Sequence, residues 1–499
     1  MLADSIIHSS CRASYRQLAV LVFGLLVSPL FEASAWAQFD SLLKNIPSSA
    51  NSIVVIDVAG VHASPLAKKE GWQKKHESAY VERPIILPPE ADKIVIAAQR
   101  NPNNNSGQNW ELAVMNLKEP FSMSSIARAE GGYVDSINGL QAAWTPSDAY
   151  FVNLDSNTMG VMHPANRQAV SRWANFGRKS SRSVISPYLL QAAKSVRAGG
   201  PQIAMAVDLR DVPRPHKLQE SLNRSNALKG NERKIKELFG IISGIQGATL
   251  TVKLGATARG EFRVDFDSST AKFVNFAKPL VLEVLDNFEA HLDDLEKWDY
   301  KLKGNSLILS GPLSNDGMRR IFSILEIPST KFSELKGQDT SPGSPEQVAK
   351  LSLTYFKSVR VLIDDLQKTL KDKRDNHAIW MERYGRKIDR LPILNVDEDL
   401  LSYGAKVAET FREIALAQRG AGVRTGVRKS AVYGSYTQTY NDNGYYGYTG
   451  RRSDESVKFQ IGRQEQAKAT GIRFNSWKEI EDETAAVRRE MTKRYQVEF

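Results

Sequence analysis

The chain has 499 residues, 41% of them hydrophobic and 25% charged, which is ordinary globular usage and excludes both a wholly membrane-embedded and a wholly disordered protein. Such a length exceeds one usual core, so two or three domains are expected. Sixty-seven Lys and Arg against 56 Asp and Glu give a formal charge of +11, a balance that suits anionic partners as well as simple solubility.

Arg12 and Arg16 precede an apolar run from Leu18 through Ser28-Pro29 to Phe31, and the segment closes on Ala35-Trp36-Ala37. A positive start, a short apolar middle and a small-x-small exit are the parts of a secretory signal peptide. The run is about 14 residues, short of the roughly 20 that cross a bilayer as a helix. Cleavage near Ala37 is therefore expected. It would leave a mature chain from about Gln38 without a transmembrane span, in the periplasm, in the envelope or secreted. The single cysteine, Cys11, lies inside that segment. The mature chain then has no disulfide, no thiolate nucleophile and no cysteine metal site, and a chain this long can stabilise itself by burial alone. For an exported protein, envelope polysaccharide, an anionic surface or another envelope protein is a better-fitting partner than nucleic acid.

Ser52 to Val58 (SIVVIDV) is a β-branched run of the kind found in a covered strand. A polar helical stretch from about His62 to Ala79 comes next, and then a strand at Lys93–Ala98. The tip Asn101-Pro-Asn-Asn-Asn-Ser-Gly107 reads as a hairpin connection to a strand at Trp110–Leu117. A short helix (124–129), strands near 133, 140–144, 149–154 and 158–162, and a helix from Pro164 to about Phe176 complete residues 38–199.

At Pro201 the order starts again. Ile203-Ala-Met-Ala-Val-Asp208-Leu-Arg-Asp-Val212 can be laid over Val54-Val-Ile-Asp57-Val-Ala-Gly-Val61. Helical sequence over 216–243, strands at 248–254 and 260–267, a helix over 270–298, a strand pair at 299–303 and 306–309 turning at Gly304-Asn305, and a helix at 318–325 carry the second half to residue 335. Both halves read strand, helix, strand, strand, helix, strand. The expected fold class is therefore α+β, with two ferredoxin-like (split βαβ) units, duplicated, followed by a helical hairpin or bundle. Asp57 and Asp208 are expected to end their strands and cap the next turn or helix; they are also the obvious carboxylates of the alternative, an exported hydrolase.

Residues 336–344 have linker composition, and Ser344 with Pro345 opens a helix. Val348, Leu351, Tyr355, Val359, Leu362, Leu366 and Leu370 form its apolar stripe. A second helix spans about 377–389. A third, about 396–419, opens on a capping box of Asn395 and Glu398 and ends at Gly420. Residues 420–452 hold six of the chain's sixteen tyrosines, with frequent Gly and few aliphatics. That composition predicts a mobile segment, 420–475, ahead of a last helix opened at Ser476 and Glu479. At Lys387-Ile-Asp-Arg-Leu-Pro-Ile-Leu-Asn-Val-Asp-Glu-Asp-Leu-Leu-Ser-Tyr-Gly404 the chain resembles a group of secreted proteins from planctomycete bacteria that has no assigned activity. The resemblance implies export and this architecture, and it carries over no catalytic residue.

The histidines beyond residue 37 are His62, His76, His163, His216, His291 and His377, none three or four residues from another, so no helical metal pair is formed. His291 stands beside Glu289, Asp293 and Asp294, a run expected to be a solvated helix face. Phosphate-loop and nucleophile-elbow motifs are missing, and Gly420-Ala-Gly-Val-Arg-Thr-Gly426 follows a helix where a dinucleotide loop needs a strand. Neither a catalytic residue nor a cofactor or metal is assigned. The remaining candidate is a contact surface of Arg424, Arg428, Tyr433, Tyr436, Tyr440, Tyr445, Tyr446, Tyr448, Arg451 and Arg452, flat faces and planar cations that suit polysaccharide, phosphate or protein. The expected function is non-enzymatic binding or scaffolding in the cell envelope.

Overall fold

The structure, a computed structural model, describes residues 39–499 apart from 73–86, 89, 101–107, 131, 147, 289, 325–343, 369–376, 390, 392–394, 431–437, 441–445 and 449–450. For residues 108, 129, 130, 421–459, 461–463, 465–467 and 469–470 it describes the backbone alone. The signal-like segment, the tip 101–107 and the linker up to residue 343 lie outside the described residues.

The chain is mixed α+β, built on a 12-stranded antiparallel sheet with helices at its C-terminal end. In chain order the first half holds α1 (Asp40–Leu43), β1 (Ser52–Asp57), α2 (Val58–Ala63), α3 (Pro65–Glu70), β2 (Ala91–Arg100), β3 (Gln108–Leu117), α4 (Met123–Glu130), β4 (Tyr133–Ile137), β5 (Leu140–Thr145), β6 (Ala149–Asn153), β7 (Thr158–His163), α5 (Arg167–Lys179) and α6 (Pro187–Ala193). The second holds β8 (Ile203–Asp208), α7 (Pro215–Arg224), α8 (Glu232–Ser243), β9 (Ile245–Leu254), β10 (Ala258–Phe266), α9 (Ala277–Asn287), α10 (Asp293–Glu296), β11 (Asp299–Lys303), β12 (Ser306–Pro312) and α11 (Asn315–Ser323). The sheet order is β11-β12-β10-β9-β8-β1-β2-β3-β7-β6-β5-β4.

This order departs from the expected split βαβ arrangement, in which the first two strands run parallel with an antiparallel strand between them. Here β1 pairs directly with β2, and β8 with β9, both antiparallel. Both neighbours of β1, namely β2 and β8, are antiparallel to it. Each half instead starts outward as a three-strand meander, β1-β2-β3 and β8-β9-β10, and then the order reverses, with β7 beside β3 and β12 beside β10. The element pattern in the sequence is common to both arrangements, so it left the order of strands open.

The halves meet where β1 pairs with β8, Val54 opposite Met205. Hydrogen bonds around this seam repeat at a spacing of 151 residues (51 to 202, 57 to 208). Asp57 N donates to Gln202 O and Asp208 N to Asn51 O, both at 2.9 Å. The Asn51 side chain brackets the Arg100 backbone, donating to its O and accepting from its N, each at 2.8 Å. Gln202 does the same to Leu254, at 3.4 and 2.8 Å.

One sheet face is covered by α1, α5 and α6, which bury Leu42, Leu43, Val170, Trp173 and Leu189 against Ile53, Val55, Ala204 and Ala206. The other face carries α2–α4 and α7–α11, with Trp72, Leu238, Trp298 and Phe322 in its core. Trp298 packs so closely on Gly260 and Gly311 that a Cβ at either would stand 2.2 or 2.3 Å from the indole. Asp57 ends β1 and accepts from Gly60 N at 2.9 Å, capping α2 as expected.

A third core joins α12 (Pro345–Lys368), α13 (Ala378–Asp389), α14 (Glu398–Ser430) and α15 (Arg451–Tyr495) through Phe356, Leu362, Trp380, Tyr384, Phe411 and Trp477. Two expectations are corrected here. Gly420 does not end α14, whose backbone continues to Ser430, and α15 begins at Arg451 rather than Ser476. A glycine inside a helix costs only about 1 kcal/mol, so Gly420 alone does not stop a helix that arrives through the strong helix formers Ala415–Arg419. Between them a hairpin pairs β13 (Gln438–Tyr440) with β14 (Tyr446–Tyr448). No helix among the described residues is long and apolar enough to cross a membrane.

Because Asn51 and Gln202 hold equivalent strand ends, Asn51→Ala and Gln202→Ala should each destabilise the protein by about 1 kcal/mol. Urea unfolding checks this, and a loss confined to one of the two would contradict the equivalence.

Candidate binding site

The seam is also the floor of a cavity. Over the middle of the sheet lies a space of about 340 Å³. Six adjacent strands face it: Phe262 from β10, Ala248 and Leu250 from β9, Met205 and Val207 from β8, Val54 from β1, Ile96 and Ala98 from β2, and Glu111 from β3. Several of these floor residues, among them Val54, Met205, Leu250 and Phe262, keep partial exposure in the middle of the protein. Leu285, Ala290, Leu292, Leu295, Ile321, Ile324 and Trp380 form the roof. Polar groups gather at one end, where Ser52, Arg100 and Glu111 complete the lining.

The roof is mounted on a buried polar junction between the sheet and the C-terminal helices. Residues 270–298 do not form the single helix the sequence suggested. A 3₁₀ turn (Thr270–Phe273), α9 and the four-residue α10 replace it. The break after α9 turns His291 inward, where it is 3% exposed, so the expected solvated face is corrected. Its Nδ1 lies 2.7 Å from Asp286 Oδ1, and its Nε2 lies 3.3 Å from Glu296 Oε1 and 3.6 Å from Asp293 Oδ1. The His377 ring, equally buried, stands edge-on at 5.4 Å with Nε2 3.9 Å from the same Asp293 oxygen. Trp380 Nε1 donates to His291 O at 2.7 Å, so a roof residue is tied directly to this junction.

Arg320 Nη1 donates to Asp293 Oδ2 at 2.7 Å. Burial pushes the Asp293 carboxyl up, but the hydrogen bonds from His377 and Arg320 outweigh it and hold the group well below the usual carboxylate range. The residue before Arg320, Arg319, grips Asp365 through two nitrogens, and Tyr384 donates to the same carboxylate at 3.3 Å. Burial raises Asp365 despite Arg319. Among the described residues no group of three or more His, Cys, Asp or Glu is arranged to hold a metal ion.

The carboxylates singled out from the sequence have structural partners. Asp57 caps α2, and Asp208 accepts from Arg210 at 2.8 Å through one oxygen and from the Arg210 backbone through the other. The ten residues of the tyrosine and arginine surface are not brought to this cavity by any described contact. Arg424 and Arg428 lie on the backbone of α14, Tyr440 on β13, Tyr446 and Tyr448 on β14, and Arg451 and Arg452 at the start of α15. Tyr433, Tyr436 and Tyr445 lie outside the described residues, as do the side chains of all ten. The sequence reading missed the cavity. Its one signal is alternation in the central strands, where Ala204 and Ala206 face one layer while Met205 and Val207 face the other.

No family model and no curated protein matches the chain. Among solved structures it is similar to crystal form I of TP0453, at 11% identity and a TM-score of 0.33, over 56% of this chain and 94% of that one. For crystal form III of the same protein the values are 12% and 0.35, over 57% and 98%. Likeness at that level carries no argument about fold or role.

The depressed Asp293 group sets a sign for pH. A carboxyl lowered in the folded state contributes stability above its unfolded value, and that contribution is lost as pH falls. Urea midpoints should therefore drop below about pH 4, and Asp293→Asn should be less stable at neutral pH with a shallower acid decline. Parallel pH curves for the two proteins would contradict this.

Proposed function

We propose that this is an exported, non-catalytic binding protein that takes up an apolar ligand over the seam of two copies of one repeated α+β unit. The observation that carries the reading is the cavity wall, which is hydrocarbon on floor and roof with polar groups at one end only. Buried apolar surface contributes about 25 cal/mol per Å² on association, so such a wall favours binding. Duplication is supported by the seam hydrogen bonds that recur 151 residues apart. Export rests on the signal-like segment before Gln38. In this reading the tyrosine and arginine stretch from Arg424 to Arg452 is a second surface, directed at envelope polysaccharide, an anionic surface or another envelope protein.

An environment-sensitive anilinonaphthalene dye tests the cavity. The protein should bind it with enhanced fluorescence, and Met205→Arg or Leu250→Arg should weaken binding about tenfold or more, because a guanidinium in an apolar wall is costly. Circular dichroism and urea unfolding show whether the variants fold. Undiminished binding by both folded variants would overturn the reading.

A further inference from the structure

The cavity's shape is more specific than its polarity. Its floor draws on six adjacent strands from β10 to β3. Neighbouring strands are spaced by about 4.8 Å, so the floor runs roughly 24 Å across the sheet. Along the strands the floor is only two residues deep, with Ile96 and Ala98 on β2, Val54 and Ser52 on β1, Met205 and Val207 on β8, and Leu250 and Ala248 on β9. That depth is about 7 Å, so the floor is roughly three times as long as it is deep. The small side chains of Ala98 and Ala248 lie along this path, and the rest of the floor is largely branched or thioether aliphatic. Flexible aliphatics conform to a flexible chain, and a floor so much longer than it is deep is covered end to end by an extended one. Glu111, Arg100 and Ser52 stand on β3, β2 and β1 toward one end, and Phe262 on β10 lines the other.

We infer that the cavity seats one unbranched hydrocarbon chain laid across the strands, its polar head at the Ser52–Arg100–Glu111 end and its methyl end toward Phe262. The inference rests on the binding reading and adds the ligand class. The chain crosses the seam between Val54 and Met205, so both halves of the sheet contribute to one site and neither half is complete alone. An extended chain advances about 1.2 Å per bond, so 16 to 20 carbons, roughly, fill the floor.

Displacement of the bound anilinonaphthalene dye from the full protein by saturated fatty acids of 8, 12, 16 and 20 carbons, each below its micelle concentration, tests this. A sterol serves as the ring-shaped probe. Affinity should rise roughly three- to fourfold per added methylene and level off near 16 to 20 carbons, while the sterol should leave the dye in place. Ala248→Phe, which narrows the methyl end, should move the plateau to shorter chains and leave the 8-carbon acid unaffected. Equal displacement by all chain lengths, displacement by the sterol, or an unmoved plateau in folded Ala248→Phe would overturn the inference. In those cases dye binding persists and the broader reading stands. A protein that binds no dye would instead remove the reading beneath it.

Discussion

The antiparallel pairing of β1 with β8 is the constraint on which the rest of the architecture depends. Either strand alone would end a half-sheet with a row of unpaired backbone groups, a liability that proteins cover or pair. Pairing them makes one continuous surface of 12 strands and places Val54 and Met205 face to face at its middle. Helices cover one side of that middle closely. On the other side the strands remain only partly covered, and the space left over them is the cavity.

The same turns of chain serve both the apolar roof and the polar junction behind it. Leu292 lines the cavity while His291 and Asp293 beside it face the junction; Ile321 lines it while Arg319 and Arg320 turn toward Asp365 and Asp293. A charged pair in a core adds little net stability compared with apolar residues of the same size, but removing one partner costs about 3 to 5 kcal/mol. The network therefore acts mainly to fix how the C-terminal helices sit over the sheet. Position of the roof, and with it the height of the cavity, depends on that fit.

Much of the fold was legible in the residues. The β-branched run at Ser52–Asp57, the Gly304-Asn305 turn and the stripe from Tyr355 to Leu366 each sit where local periodicity and turn chemistry put them. What sequence left open was the order of strands, because the observed antiparallel order and a split βαβ unit share one string of elements. Glycine misled at Gly420, because one glycine costs a helix only about 1 kcal/mol and α14 runs on through it. His291 misled in another way: its surrounding acids resemble a solvated helix face, and only the break after Asn287 turns the ring inward. The cavity had almost no local signal, since its wall is assembled from one or two residues on each of six strands and from roof elements far along the chain.

Amide hydrogen exchange on the intact protein, read peptide by peptide, tests the central claim most directly. If the seam joins the halves into one sheet, amides of Ser52–Asp57 and Ile203–Asp208 should be protected together, among the slowest in the molecule. Rapid exchange of Ile203–Asp208 while Ser52–Asp57 remains protected would mean that the halves open separately, and a site built across their junction could not stand.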